Sequence, residues 1–80
     1  MIVKKLDVDR TSNNIRRLWE KSGISLEKIT VMIGYTHTRT FQTWMSGKAI
    51  PSIDSILTLT SIFNCDIDDI IASREVEVML

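Results

Sequence analysis

Three glycines stand alone in this sequence, Gly23, Gly34 and Gly47, separated by 11 and 13 residues, and each closes a stretch whose apolar residues recur at helical spacing. A glycine just past a helix end takes the left-handed conformation without a side-chain penalty, so the pattern divides the chain into short helices. Ile15, Leu18, Trp19 and Ser22 share one face of the first segment, and Leu26, Ile29, Thr30 and Ile33 share one face of the second. Thr11 and Ser25 stand where each could cap the adjoining helix, accepting a hydrogen bond from a first-turn amide. The third segment, from about Thr38 to Met45, turns Phe41, Trp44 and Met45 inward and leaves Arg39, Gln42 and Thr43 on a polar side with no core to face. Pro51 and Ser52 open a fourth helix with Ile53, Ile56, Leu57, Thr60 and Phe63 on its inner face, and Asn64 can end it in the left-handed conformation. Asp66 caps a short fifth helix with Ile67, Ile70 and Ile71 inward, where Asp68 and Asp69 sit favourably at the positive helix end.

The two ends obey a different rule. Ile2, Lys4, Leu6 and Val8 recur at every second residue, as do Val76, Val78 and Leu80, so both ends read as short strands or as frayed tails. An isolated strand is not stable, so strands there would pair with each other, within one chain or across a dimer, with their apolar side chains on one face. The expected organisation is an N-terminal arm or strand over residues 1–10, a helical domain over 11–73 and a C-terminal tail or strand over 74–80.

Composition removes several function classes. Eighty residues leave room for one small core, because a chain this short buries only about 60% of its unfolded surface, and no catalytic cleft between lobes is available. No base, nucleophile or metal constellation is present, so an enzyme is not expected. Cys65 is the only cysteine and His37 the only histidine, too few soft ligands for a zinc site, and neither a metal nor another cofactor is expected. Asp66, Asp68 and Asp69 lack the glycine and later Glu of a calcium loop. No more than three apolar residues run consecutively, far short of a membrane span or a signal-peptide core, which makes a soluble cytoplasmic protein the expectation.

The zero net charge conceals a division. Residues 1–48 carry nine cations against four anions, a balance of +5, and residues 49–80 carry one cation against six anions, a balance of −5. Such asymmetry suits one face turned to a polyanion and another turned away from it.

Two short helices separated only by Gly34, Tyr35 and Thr36 to Thr38, the second with an outward polar face, have the helix-turn-helix arrangement. From about Thr11 to Ile71 the sequence resembles the Xre family of helix-turn-helix domains. The resemblance rests on Asn14-Ile15-Arg16-Arg17-Leu18, Gly23-Ile24-Ser25, Ile33-Gly34-Tyr35, Trp44 with Gly47-Lys48, Pro51-Ser52-Ile53-Asp54, and Phe63 with Asp66 to Ile71, in that order and spacing. It implies an all-α fold, the five-helix lambda-repressor and Cro-like domain, and sequence-specific binding to double-stranded DNA by a transcriptional regulator, most often a repressor, acting as a homodimer with the third helix in the major groove. The sequence also departs from the family. Leu26 replaces a Gln that commonly contacts a phosphate, Thr30 replaces a small Ala, and the step from Gly34 to Trp44 is one residue longer than is commonest. Trp19 and Met45 stand where many members place an internally paired Arg and Glu, which leads us to expect an apolar contact between them.

On this resemblance Arg39 and Gln42 are the candidates for base edges, since an Arg fork matches guanine and a Gln amide matches adenine. Thr38 and Thr43 can touch a phosphate or a thymine methyl. Lys48, Arg16 and Arg17, with the first-turn amides of the second and third helices and the adjoining Ser25, Thr36 and His37, would set the domain on the phosphates. His37 is otherwise a plain turn residue, Cys65 a buried inert thiol, and Tyr35 and Trp44 core residues. A different function is compatible with zero net charge and Leu26: a protein-interaction module, antitoxin-like or a repressor partner, that keeps the fold without reading DNA.

Overall fold

The computed structural model describes residues 1–80 as a mostly helical chain with a small two-stranded sheet, in the order β1 (Ile2–Leu6), α1 (Val8–Ser22), α2 (Leu26–Met32), α3 (Thr38–Ser46), α4 (Ile53–Phe63), α5 (Ile67–Ile70) and β2 (Ser73–Glu77). The last helix is a single turn, so only four helices have seven residues or more. No helix is long and apolar enough to cross a membrane.

Helix ends obey local chemistry in most places. Gly23, Gly34 and Gly47 all have positive φ, and Asn64 ends α4 at φ 51°. Ser25 and Ser52 accept from the amides of Lys28 and Ser55, each at 3.1 Å. In α5 the Asp66 amide donates to Asp69 Oδ2 at 2.9 Å.

The start of α1 departs from expectation. Asp7, not Thr11, is the cap, its carboxylate accepting the Arg10 amide at 3.0 Å, so the helix begins at Val8 inside the segment read as an arm. Thr11 is instead fully buried one turn along. Its hydroxyl accepts from the Ala72 amide at 3.0 Å and donates to the Ala72 carbonyl at 3.4 Å, tying α1 to the segment that leads into β2. Asn14 adds a bond from Nδ2 to the Ile70 carbonyl at 3.0 Å.

The core gathers Ile15, Ile29, Phe41, Trp44, Ile56, Leu59 and Ile70. Trp19 presents its ring edge-on to Phe41, with centroids 6.0 Å apart, and packs against the same cluster as Met45. Its indole Nε1 has no acceptor. The inner face of α4 is corrected: Ile56 and Leu59 are buried, while Ile53 and Leu57 are 68% and 52% exposed. Ile67 likewise points outward, and Ile70 is the buried residue of α5. Helix periodicity locates a stripe, but where α4 is covered on one side only, its ambiguous neighbours fall outside the stripe.

The chain ends do pair as strands within the one chain, antiparallel, with Val3 opposite Val76. This register overturns the expectation of a single apolar face. Successive residues of a strand point to opposite sides, so Ile2 and Leu6 share a side with Glu75 and Glu77, while Val3 shares the other with Val76.

Replacing Thr11 with Val keeps the shape but leaves the buried Ala72 amide without a partner, which should cost about 1–3 kcal/mol. Thermal denaturation should show this as a fall of roughly 4–8 °C for each kcal/mol in a domain of this size.

Candidate nucleic-acid interface

The geometry of α3 begins with its buried side. Phe41 is completely buried and Trp44 nearly so, and Trp44 meets Phe41 and Tyr35 edge-on at centroid distances of 6.0 Å and 5.7 Å. The contacts from outside the helix, Trp19 on Phe41 and Tyr35 on Trp44, fix it about its own axis. Residues roughly 100° and more around the wheel are therefore forced outward. Arg39 and Gln42 are exposed, and Ser46 joins them on the same face, one turn beyond Gln42. Sequence reasoning missed Ser46, although its spacing of four from Gln42 and seven from Arg39 is a usable signal.

Thr38 and Thr43 are only half-exposed. The Thr43 hydroxyl donates to the Thr40 carbonyl at 2.7 Å, so its proton is engaged within the helix and only its oxygen and methyl can face a ligand. At the other end of the helix His37 occupies the cap position without any side-chain bond. Thr36 and His37 are exposed, and the opening amides of α3 have no side chain closing them off. Such a helix end is open to an anion.

Gly47 directs the chain out of α3. At φ 79° it makes the turn, and a Cβ there would lie 3.5 Å from Ser12 Oγ and 3.7 Å from Asp9 Oδ1, so the end of α3 rests on the first turns of α1. The amides of Lys48 and Ala49 both donate to the Thr43 carbonyl, at 3.1 Å and 3.3 Å, which holds exposed Lys48 directly after the outward face.

Arg16 and Arg17 both line a groove along α1 with Arg10 and Asn13, and they leave it in different directions. Arg16 Nη2 donates to the Met45 carbonyl at 2.8 Å and so stands at the end of α3. Arg17 hydrogen-bonds Asn14 Oδ1 and lines a groove with Asn64, Cys65 and Asp69, on the side of α4 and α5. Ser25 is exposed while capping α2. Leu26, the next residue, is half-buried against the core, which leaves no polar side chain in place of the Gln expected from the resemblance.

Cys65, in the same groove as Arg17, is half-buried. Burial pushes its thiol pKa up, and the carboxylates of Asp69 and Asp66 push it further in the same direction. The arrangement disfavours the thiolate.

Comparison with protein families, with curated proteins and with solved structures returns no match. The reading of this surface therefore rests on its own residues.

Because the Cys65 pKa is raised, the reactive thiolate is scarce until the pH climbs above the ordinary thiol range. Asp69→Asn keeps an oxygen to accept the Asp66 amide but removes the stronger of the two repelling charges. Alkylation by iodoacetamide at a mildly alkaline pH should be faster in that variant than in the parent, with the difference closing as the pH is raised.

Proposed function

We propose that the protein binds double-stranded DNA sequence-specifically, as a transcriptional regulator that lays α3 in the major groove. The observation that carries this is the division of α3 itself: Phe41 and Trp44 are locked into the core while Arg39, Gln42 and Ser46 stand exposed on the opposite face. The core sets their outward direction, and an Arg and a Gln held there together match the edges of guanine and adenine. Lys48 beyond the C-terminus, Arg16 beside it and the uncapped start near Thr36 and His37 surround the face with phosphate partners. The acidic residues Asp66, Asp68 and Asp69 belong to α5 and its cap, on a different element from the reading face.

The same reading includes a homodimer. Ile53 and Leu57 on α4, with Ile67 on α5, are large apolar side chains left substantially exposed, and Ile53 and Ile67 border a groove completed by Leu6, Ile50 and Ile71. A two-fold dimer through this surface would carry two α3 helices, and the usual geometry of such dimers sets half-sites about one helical turn apart.

A second reading has its own observation. Val31 and Met32 at the end of α2 and Tyr35 in the turn are 73%, 42% and 38% exposed, an apolar patch next to the reading helix that a protein partner could cover. Under that reading the chain is an interaction module and not a reader of DNA. Titration of a random duplex at two salt concentrations separates the two, because phosphate neutralisation forces a steep loss of affinity with salt.

Two substitutions should behave oppositely in fluorescence anisotropy against a selected operator and a random duplex. Arg39→Ala should remove about 1–3 kcal/mol from operator binding and relax the preference at one base pair, whereas Lys48→Ala should weaken all sequences alike and reduce the salt slope by about one unit. An equal loss on both duplexes for Arg39→Ala would assign it to phosphate.

Leu57→Glu places a charge in the exposed α4 surface without touching the core. Sedimentation should then show a monomer where the parent is a dimer, and an unchanged profile would move the dimer contact elsewhere.

A further inference from the structure

The two terminal strands contact each other and very little else, so the ribbon extends from the helical body, and the molecule measures 46 Å along its longest axis against 22 Å and 19 Å across. Nothing in the proposed reading uses this arm. Its register, however, sets Lys5 directly opposite Arg74. Cross-strand partners on an antiparallel pair hold their Cβ atoms about 4.5–5.5 Å apart on the same face, and like charges so placed destabilise the pair.

The neighbouring positions show that the ribbon accommodates opposite charges. On its other face Lys4 stands opposite Glu75. At its open end the Met1 ammonium meets Glu77 Oε1 at 3.2 Å, the only ion pair in the chain. Lys5 and Arg74 are both exposed, and neither has a carboxylate within salt-bridge reach. Asp7, the acid nearest to Lys5 along the strand, has its carboxylate on the Arg10 amide as the cap of α1. A two-stranded ribbon is marginally stable by itself. An anion bound between the two cations would offset their repulsion.

We propose that Lys5 and Arg74 together form a phosphate-binding clip, an arm that carries contact with the DNA backbone beyond the helical body; this rests on the DNA-binding reading above. The planar guanidinium of Arg74 offers a fork to two phosphate oxygens, and the Lys5 ammonium adds a point charge beside it. The clip reads no base. It adds affinity and salt dependence that are the same for every sequence. Two cations on one face of the ribbon, with α1 and its exposed Arg10 directly after β1, suit a backbone phosphate.

The test compares the full chain with a Lys5→Gln/Arg74→Gln double variant, by anisotropy on a random duplex across a salt series. The variant should lose about one to two units of salt slope, keep the base preference of the parent on an operator, and melt at the same temperature or higher because the repulsion is gone. Lys5→Glu supplies a second readout: it places opposite charges across the strands, so it should raise the melting temperature while weakening DNA binding. If the parent binds random duplex with a salt slope that the double variant shares, the clip is overturned and the DNA reading stands. If the parent shows no salt-dependent binding to duplex DNA, the DNA reading falls and the clip with it. Binding of the parent to phosphatidylserine vesicles, lost in the double variant while the DNA slope is unchanged, would assign the pair to a membrane surface and overturn the proposal.

Discussion

The burial of Phe41 between two indole rings is the contact on which the candidate interface depends. Trp19 from α1 and Trp44 from α3 itself both meet the Phe41 ring edge-on at 6.0 Å and 70°. Edge-to-face contacts between aromatic rings favour particular relative orientations and so resist rotation more than aliphatic contacts of equal area. Tyr35 extends the series from the turn to Trp44. With α3 held in this way, the outward direction of Arg39 and Gln42 is a consequence of the core and needs no local device. Loosening the Phe41 site would therefore reorient the outward face of α3 without changing any residue on it.

Much of this is legible in the residues, and the rest escapes for identifiable causes. The three glycines, Ser25, Ser52 and Asn64 act through partners within four residues of themselves, so sequence spacing locates them. Thr11 cannot be read that way. A threonine before a helix and a threonine bonded to a residue 61 positions away look alike until the fold brings Ala72 beside it. The ribbon presents the same difficulty. Period-two spacing foretells strands, but the face each residue occupies depends on a register, and a slip of one residue exchanges the faces. Ile53 and Leu57 look inward in the sequence because periodicity records apolar character and not the presence of a neighbour to cover it.

For the site, the outward face of α3 follows from spacing alone, and the same argument reaches Ser46. Arg16 and Arg17 are distinguishable by helix geometry, since consecutive residues of a helix lie about 100° apart and cannot serve one surface equally. The structure sends one to the end of α3 and the other towards Asp69. The division of charge along the chain is real in space only in this qualified sense. The acidic end is a local feature of α5 and its cap, where it also suppresses the reactivity of Cys65.

The ribbon also governs the order of events during folding. Residues 2–6 obtain their strand partners only from residues 73–77, and Thr11 and Asn14 obtain theirs from Ala72 and Ile70. While α1, α2 and α3 leave the ribosome, the first strand has nothing to pair with and the first helix lacks its closing bonds. The helical contacts near in sequence can form early and fast, but the enclosure of α1 must wait until residues 70–77 are present. The first strand thus stays an unpaired edge with Ile2 and Val3 apolar until residues 73–77 have been made, and Lys4 and Lys5 beside it supply the charges that discourage such an edge from joining another.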